Sequence, residues 1–228
     1  MIGQRDRHST KSNRGFSLME FLIVVAIGSI LTAIAIPQMV AQRRLSRSTA
    51  VTREIMTQLR YARQLAMSQS GATATGALRR VAYTFQFDDA TKRIRIIGPI
   101  PAGTISLADP NYPNLAGSAA VVTVPLTQGG LSQGEISTGI PANLPGSPTA
   151  VEGINGADLA GGRVNITFQP DGSVIDATNN PVDRAIFIYN NKASQSTASA
   201  ISVRGASGRV KIWRYTVNAN ANNSRYVE

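Results

Sequence analysis

The sequence has no cysteine and a single histidine, His8, among its 228 residues. Without thiols it has no disulfide framework and no thiolate chemistry. One imidazole near the N-terminus leaves the rest of the chain without the usual general base and without an imidazole metal ligand. We therefore expect a protein that is not an enzyme and that holds no metal or cofactor.

Acidic residues are scarce, with 13 Asp and Glu against 23 Lys and Arg, for a formal net charge of +10. Such a surface favours polyanions such as nucleic acid or lipid head groups, although most excess charge on a soluble domain is simply solvated. The length suits one sizeable domain with an anchor.

Charge is almost absent between Phe16 and Val40, where Glu20 is the one ionisable side chain in 25 residues. As a helix, this segment is about 37 Å long, enough to cross a hydrocarbon core of about 30 Å. The polar, basic residues 1–14 precede it. We predict a membrane-spanning helix over 16–40.

Three interpretations fit this apolar segment. A secretory signal peptide would use a small-x-small cleavage site such as Ala33-Ile34-Ala35. A plain single-pass anchor would need only the length. The third is a segment that later packs into a filament, and Glu20 favours it. A carboxylate near the bilayer centre costs roughly 2.5–3.5 kcal/mol, and neither a signal peptide nor a plain anchor has a use for it.

The run Gly15-Phe16-Ser17-Leu18-Met19-Glu20 resembles the processing site of type IV prepilins and type II secretion pseudopilins. The resemblance implies that a membrane aspartyl prepilin peptidase cuts after Gly15 and methylates the new N-terminus at Phe16. It also implies that Glu20 is the fifth mature residue and that Pro37 bends the helix. Removal of residues 1–15 takes away four cations and one acid and lowers the formal net charge from +10 to +7.

The pairing of Phe16 with Glu20 makes physical sense in a filament. The free ammonium of Phe16 is costly in an apolar core, and a neighbouring subunit's Glu20 carboxylate neutralises it. Such a pair would also fix the axial register between subunits.

The resemblance also implies a location and partners. The positive leader favours a cytoplasmic N-terminus, whereas Arg43, Arg44 and Arg47 on the far side oppose a simple charge rule. Because the peptidase acts at the cytoplasmic face, we expect a single-pass protein of the bacterial inner membrane with a periplasmic C-terminal domain, later part of a pilus or pseudopilus. The expected partners are other pilins or pseudopilins, the prepilin peptidase and the inner-membrane assembly platform.

Helical periodicity continues beyond the apolar segment to about Ser70, with Gly71 as the predicted end. The chain then divides into a leader 1–15, a long helix 16–70 with 16–40 in the membrane or filament core, and a β-rich globular domain 71–228. The predicted core positions of the second half of the helix are Leu45, Val51 or Thr52, Ile55, Leu59, Ala62 and Ala66.

The remainder indicates short strands between turn-rich loops. Pro170-Asp171-Gly172 predicts a tight turn. The stretches 98–117 and 125–163 are expected to be long loops, the second with room for short strands that sequence alone does not place, and the last ten residues are expected to fray. The fold class is α+β, a long N-terminal helix packed on antiparallel β-sheets. The predicted strands are Val81–Phe87, Arg93–Ile97, Ala120–Val124, Val164–Phe168, Ser173–Asp176, Ala185–Tyr189, Ile201–Arg204 and Arg209–Thr216.

Residues 59–66, 166–172 and 207–210 resemble the GspH/FimT group of this family, which includes the minor pseudopilin H of type II secretion and FimT-like minor pilins. That resemblance implies a non-enzymatic minor subunit that initiates, caps or adapts a filament. The presence of Glu20 argues for an incorporated subunit rather than the extreme tip.

The C-terminal strand carries a second candidate function. Alternation places Val210 and Ile212 on one face, and the other face mixes cations with aromatic rings. Such a face suits DNA, since cations neutralise phosphates and rings stack on bases. Some FimT-like pilins are DNA receptors with a Gly-Arg-x-Arg motif here, and Lys211 replaces the second arginine. The competing interpretation is an edge strand protected by its charges. The candidate DNA-binding residues are Arg209, Lys211, Trp213 and Arg214.

Overall fold

The computed structural model describes residues 17–68, 70–72, 78–101, 120–126, 136–141, 143–145, 150–155, 163–176, 180–217 and 225–228. The chain divides into two compact units, one ending at Gln42 and the other beginning at Arg43. The first unit contributes the apolar part of the N-terminal helix, and the second contains the remaining helix and all of the strands.

Helix α1 spans Leu18–Ser68 and passes through Pro37 without interruption. Predicted over 16–70, it ends two residues early, and Gly71 lies inside the first strand instead. Its buried side chains recur every three or four residues, with two adjacent pairs, as an amphipathic helix requires. They are Ser48, Val51, Thr52, Ile55, Leu59, Ala62, Leu65 and Ala66.

One predicted core position of α1 was wrong. Leu45 is 47% exposed, and the buried position nearest to it in sequence is Ser48. The Ser48 hydroxyl donates a hydrogen bond of 2.9 Å to the carbonyl oxygen of Thr197. At this point of α1, the hydrogen bond of Ser48 therefore takes the place of the apolar contact that was predicted for Leu45.

The strands of the first sheet are β1 (Ser70–Ala72), β2 (Leu78–Asp88), β3 (Arg93–Pro101), β4 (Ala120–Pro125), β8 (Arg163–Phe168) and β9 (Val174–Ile175). The sheet is antiparallel, in the order β4-β3-β2-β8-β9, with β1 also paired to β2. The tight turn after β8 has the predicted form, since the Gly172 N–H donates to the Gln169 carbonyl at 2.8 Å.

The strands of the second sheet are β5 (Ile136–Thr138), β10 (Arg184–Asn190), β11 (Ser199–Val203), β12 (Val210–Thr216) and β13 (Arg225–Val227). The sheet is also antiparallel, in the order β13-β12-β11-β10-β5. A short helix, α2 (Ser194–Thr197), connects β10 and β11, and a separate hairpin consists of β6 (Ala150–Val151) and β7 (Ile154–Asn155).

Two apolar clusters form the core, one on each face of the second sheet. The larger joins the buried stripe of α1 to both sheets through residues such as Leu59, Phe85 and Ile201. The smaller contains Phe187, Tyr215 and Tyr226 together with the β6–β7 hairpin. Alternation along β10, β11 and β12 distributes side chains between the clusters.

The predicted α+β class, a long helix on antiparallel sheets, is confirmed. All eight predicted strands are present, with ends shifted by a few residues. The fraying of the last ten residues was wrong in part, because Arg225–Val227 pairs with β12. The stretch 125–163, predicted as a loop, contains β5, β6 and β7. Sequence alone does not place these strands, because two or three residues are too few to show a periodicity.

Candidate functional sites in the apolar helix and around Gly208

The apolar part of α1 exposes its side chains all round. From Leu18 to Ile36 every large apolar side chain is at least half exposed, and the segment is long and apolar enough to cross a membrane. The hydroxyls of Ser29 and Thr32 are satisfied inside the helix, donating to carbonyl oxygens of residues 26 and 28 at 2.8 and 2.7 Å. This surface requires lipid or another protein to cover it.

Glu20 lies in the first turn of α1 and is exposed. It is the one ionisable side chain between residues 17 and 42. The first turn of a helix suits a carboxylate, because the unpaired N–H groups there carry partial positive charge. Gly15 and Phe16, the predicted cleavage and methylation positions, lie outside the described residues, and the bend at Pro37 stays a prediction.

Three segments of the globular part meet at the side chain of Arg63. Gly172 ends the turn after β8 and Gly208 precedes β12, with φ of 83° and 58°, a left-handed backbone that favours glycine. A Cβ on Gly208 would meet the Gly172 carbonyl oxygen and lie 2.8 Å from Arg63 Nε. The Arg63 guanidinium donates to the Ser207 carbonyl at 3.0 Å. The three sequence segments that resemble the GspH/FimT group therefore meet at one point.

Glu152 is an acidic residue that sequence reasoning missed. It is the first turn residue of the β6–β7 hairpin, with φ 52°, and Gly153 follows with φ 78°. Positive φ at both central residues is the geometry that two-residue hairpins favour. A Glu-Gly pair between Val151 and Ile154 is the sequence signal that was available.

The carboxylate of Glu152 forms ion pairs with two arginines, Arg204 and Arg209. Arg209 approaches Oε1 at 2.7 Å and Arg204 at 3.3 Å, and the Ser202 hydroxyl donates to Oε2 at 2.8 Å. Burial raises its pKa, but the hydrogen bond from Ser202 and the charges of Arg204 and Arg209 outweigh that effect. The net pKa of Glu152 lies below its usual value. Asp183 is similar, since the Gly205 N–H and Arg204 lower its pKa.

The candidate DNA-binding face of β12 is largely occupied by contacts within the chain. Lys211 pairs with Glu228 at 2.5 Å, and its Nζ lies 5.3 Å from the centre of the Trp213 ring. Trp213 is half-buried, and its Nε1 donates to Ser202 at 2.8 Å. Lys211 is therefore occupied, whereas Arg209 pairs with Glu152 through one nitrogen and keeps about half of its side chain exposed.

Arg214 lies on the opposite face of β12 from Lys211 and Trp213. Val210 and Ile212 occupy that opposite face and contact the larger cluster, as alternation predicted. Arg214 is exposed there and lines a cleft beside α1. The four candidate DNA-binding residues therefore do not form one surface, because Arg214 has the other parity along the strand.

A different basic groove includes Arg209. It lies between the end of the α1 stripe and the Gly208 turn, and Arg60 and Arg63 also line it. Sequence alone does not reveal this groove, because its two sides are more than a hundred residues apart.

Residues 10–36 match the family model for the prokaryotic N-terminal methylation motif. The match contains Gly15, Phe16 and Glu20 and ends one residue before Pro37. It supports a precursor of the type IV pilin and pseudopilin class, with a leader and an apolar N-terminal helix. No curated protein and no solved structure matches the chain.

Substituting Gly208 by alanine is expected to destabilise the fold by about 2–4 kcal/mol, since strain from positive φ adds to a collision with Gly172. The matched control is Gly153→Ala, which has positive φ but no atom within 4 Å of the added Cβ. The control is expected to lose about 1–2 kcal/mol. Urea unfolding of the full chain in a neutral detergent measures both, and equal losses would contradict the collision.

Stability is expected to depend on pH through Glu152 and Asp183. A carboxylate with a depressed pKa stabilises the fold above its unfolded pKa of about 4, and that contribution disappears as pH falls. Glu152→Gln should therefore cost about 1–3 kcal/mol at pH 7, and the cost should shrink below about pH 4. Unfolding free energies across pH 3–7 test this. Glu54→Gln is the control and should change little, because among the described residues Glu54 accepts only from Gln58 in the next turn.

Proposed function

We propose that the chain is a minor pilin or pseudopilin, a structural subunit built into a type II secretion pseudopilus or a type IV pilus. The observation that supports this most is the single carboxylate, Glu20, at the start of an otherwise apolar exposed helix, within the matched methylation motif. The proposal includes cleavage after Gly15, N-methylation of Phe16 and insertion in the inner membrane with the globular part in the periplasm.

The chemistry of assembly follows from that carboxylate. In the membrane, Glu20 is a costly group. In a filament, the N-terminal ammonium of a neighbour's Phe16 pairs with it, so that two buried charges become one neutral pair. Removing either partner leaves an uncompensated charge, which explains why such a residue is useful in assembly and harmful elsewhere.

The GspH/FimT branch is supported by the junction at Arg63. The helix end, the Gly172 turn and the Gly208 turn are the three segments of that resemblance, and in the structure they touch. Their residue types follow from packing, since two glycines leave room for one guanidinium. A minor structural role fits this arrangement, because it builds a stable domain rather than a reaction centre.

The proposal predicts a mature protein that begins at N-methylated Phe16. Mass spectrometry of the protein from its natural membrane checks this, and a start at Ile36 would instead establish a cleaved signal peptide. Glu20→Leu should be processed normally but should enter filaments at least about tenfold less, because Phe16 then has no counter-charge. The control is Gln42→Leu at the other end of the apolar segment, which should enter filaments at the original level.

A DNA-binding minor pilin that acts in DNA uptake is the second candidate. The observation that favours it is the groove shared by Arg60, Arg63 and Arg209. Arginines spread along a groove suit the phosphates of a nucleic acid backbone. If DNA binds in this groove, Lys211 and Trp213 stabilise β12 and do not contact DNA, and Arg214 is not a DNA contact either.

Fluorescence anisotropy with labelled duplex DNA and the full chain in neutral detergent tests this candidate. Arg60→Gln with Arg209→Gln should weaken binding and lower the slope of log affinity against log salt by about 2. Arg93→Gln with Arg95→Gln removes the same charge from β3, outside this groove. Equal losses in both double variants would indicate attraction by net charge and would exclude a site in the groove.

A further inference from the structure

A cleft of about 300 Å³ lies within the globular unit, between α1 and the second sheet. The residues on its helix side include Ser48, Thr52 and Arg53, and those on its sheet side include Ser199 and Arg214. No acidic side chain is among its lining residues.

The floor of the cleft is polar and already satisfied. Ser48 donates to the Thr197 carbonyl at 2.9 Å, and the hydroxyls of Thr52 and Ser199 are 2.8 Å apart. Leu45, which is 47% exposed, and Ile212 also line the cleft, so its surface is partly apolar. The bonded hydroxyls favour a ligand that carries polar groups over a purely apolar helix.

The rim of the cleft carries two exposed arginines, Arg53 and Arg214. In the part of the chain that the structure describes, neither guanidinium has a hydrogen-bond or ion-pair partner. A guanidinium presents a planar fork of N–H donors that matches a carboxylate. Two such forks on one cleft are therefore suited to an acidic ligand.

The described acids outside the apolar segment all have hydrogen-bond partners within the chain. These acids are Glu54, Asp88, Asp89, Glu152, Asp171, Asp176, Asp183 and Glu228. By contrast, residues 43–68 contain six arginines and one glutamate. A second copy would therefore bring more positive than negative charge to this helix.

We propose that the cleft between α1 and β12 binds an acidic segment of a different protein chain, whose carboxylates pair with Arg53 and Arg214. That this chain is a neighbouring filament subunit rests on the function proposed above. The surplus of arginine then selects a neighbour of opposite charge and disfavours a run of identical subunits, which like charges would separate.

The test uses the full chain in neutral detergent and a fluorescent hexaglutamate peptide as the probe. Arg53→Gln with Arg214→Gln should weaken binding by about tenfold, since two charge-assisted pairs are lost. Arg53→Lys with Arg214→Lys should recover part of the affinity, because charge returns without the fork. The control Arg93→Gln with Arg95→Gln removes equal charge and should bind as the original does. Unchanged unfolding temperatures will show that the variants fold.

Three results would overturn the proposal. Equal weakening in the control would mean attraction by net charge alone. Binding of phosphatidylglycerol vesicles that needs Arg53 and Arg214, without a matching effect on hexaglutamate, would assign the cleft to lipid. Self-association of the full chain that the Arg53→Gln and Arg214→Gln changes abolish would assign it to a second copy.

The N-terminus of the mature protein separates this inference from the proposed function. If Phe16 is methylated and hexaglutamate does not bind, the cleft proposal fails and the filament function stands. If hexaglutamate binds through the two arginines and Phe16 is not processed, the acidic partner stands and its identity as a filament subunit fails.

Discussion

The central constraint on this protein is that one helix must satisfy two environments. Through residues 18–42, α1 is apolar on every side and has one carboxylate, whereas from Arg43 onward it is apolar along one stripe only. A helix that is apolar all round is stable only when lipid or protein covers it. The stripe in its second part organises the core, because both sheets contact it through one continuous cluster.

Partly exposed charges link segments of the domain that are distant in sequence. Arg63 links the helix to the turns at Gly172 and Gly208, and Glu152 links the β6–β7 hairpin to Arg204 and Arg209. Each is an arrangement in which a cation meets an acid or a carbonyl oxygen across more than fifty residues of sequence. Removing one partner of such a group costs more than the contact itself is worth, because the other is left unsatisfied.

The parts of the fold that were predicted correctly are those in which the hydrophobic pattern repeats within a single segment of sequence. The stripe of α1 and the alternation of Val210 and Ile212 on β12 are local patterns, and both are confirmed. The errors come from partners distant in sequence. Ser48 is buried because Thr197 accepts its hydrogen bond, and Arg225–Val227 is a strand because β12 is beside it. A serine by itself does not predict burial, and the segment Arg225–Val227 by itself does not predict a strand.

The candidate site shows the same division. The motif Gly15–Glu20 is a local signal, and the family model finds the same segment. The pairs that occupy Arg209 and Lys211 are not local, since Glu152 and Glu228 come from separate strands or turns. A count of basic residues on β12 therefore overestimates the charge that is available to a ligand. Arginines without a partner in the described part of the chain lie both on α1 and on the strands β3, β12 and β13.

That distribution of charge connects the fold to its role. A domain that used its acids and bases in equal measure would present a neutral surface and would pack against copies of itself without electrostatic penalty. Here Asp88, Glu152 and Asp183 pair with Arg163, Arg204 and Arg209, while Arg43, Arg53, Arg60 and Arg214 face outward. Like charges directly opposite one another across an interface cost several kcal/mol. A domain with this surface is expected to favour acidic neighbours over copies of itself, which agrees with the minor subunit proposed above.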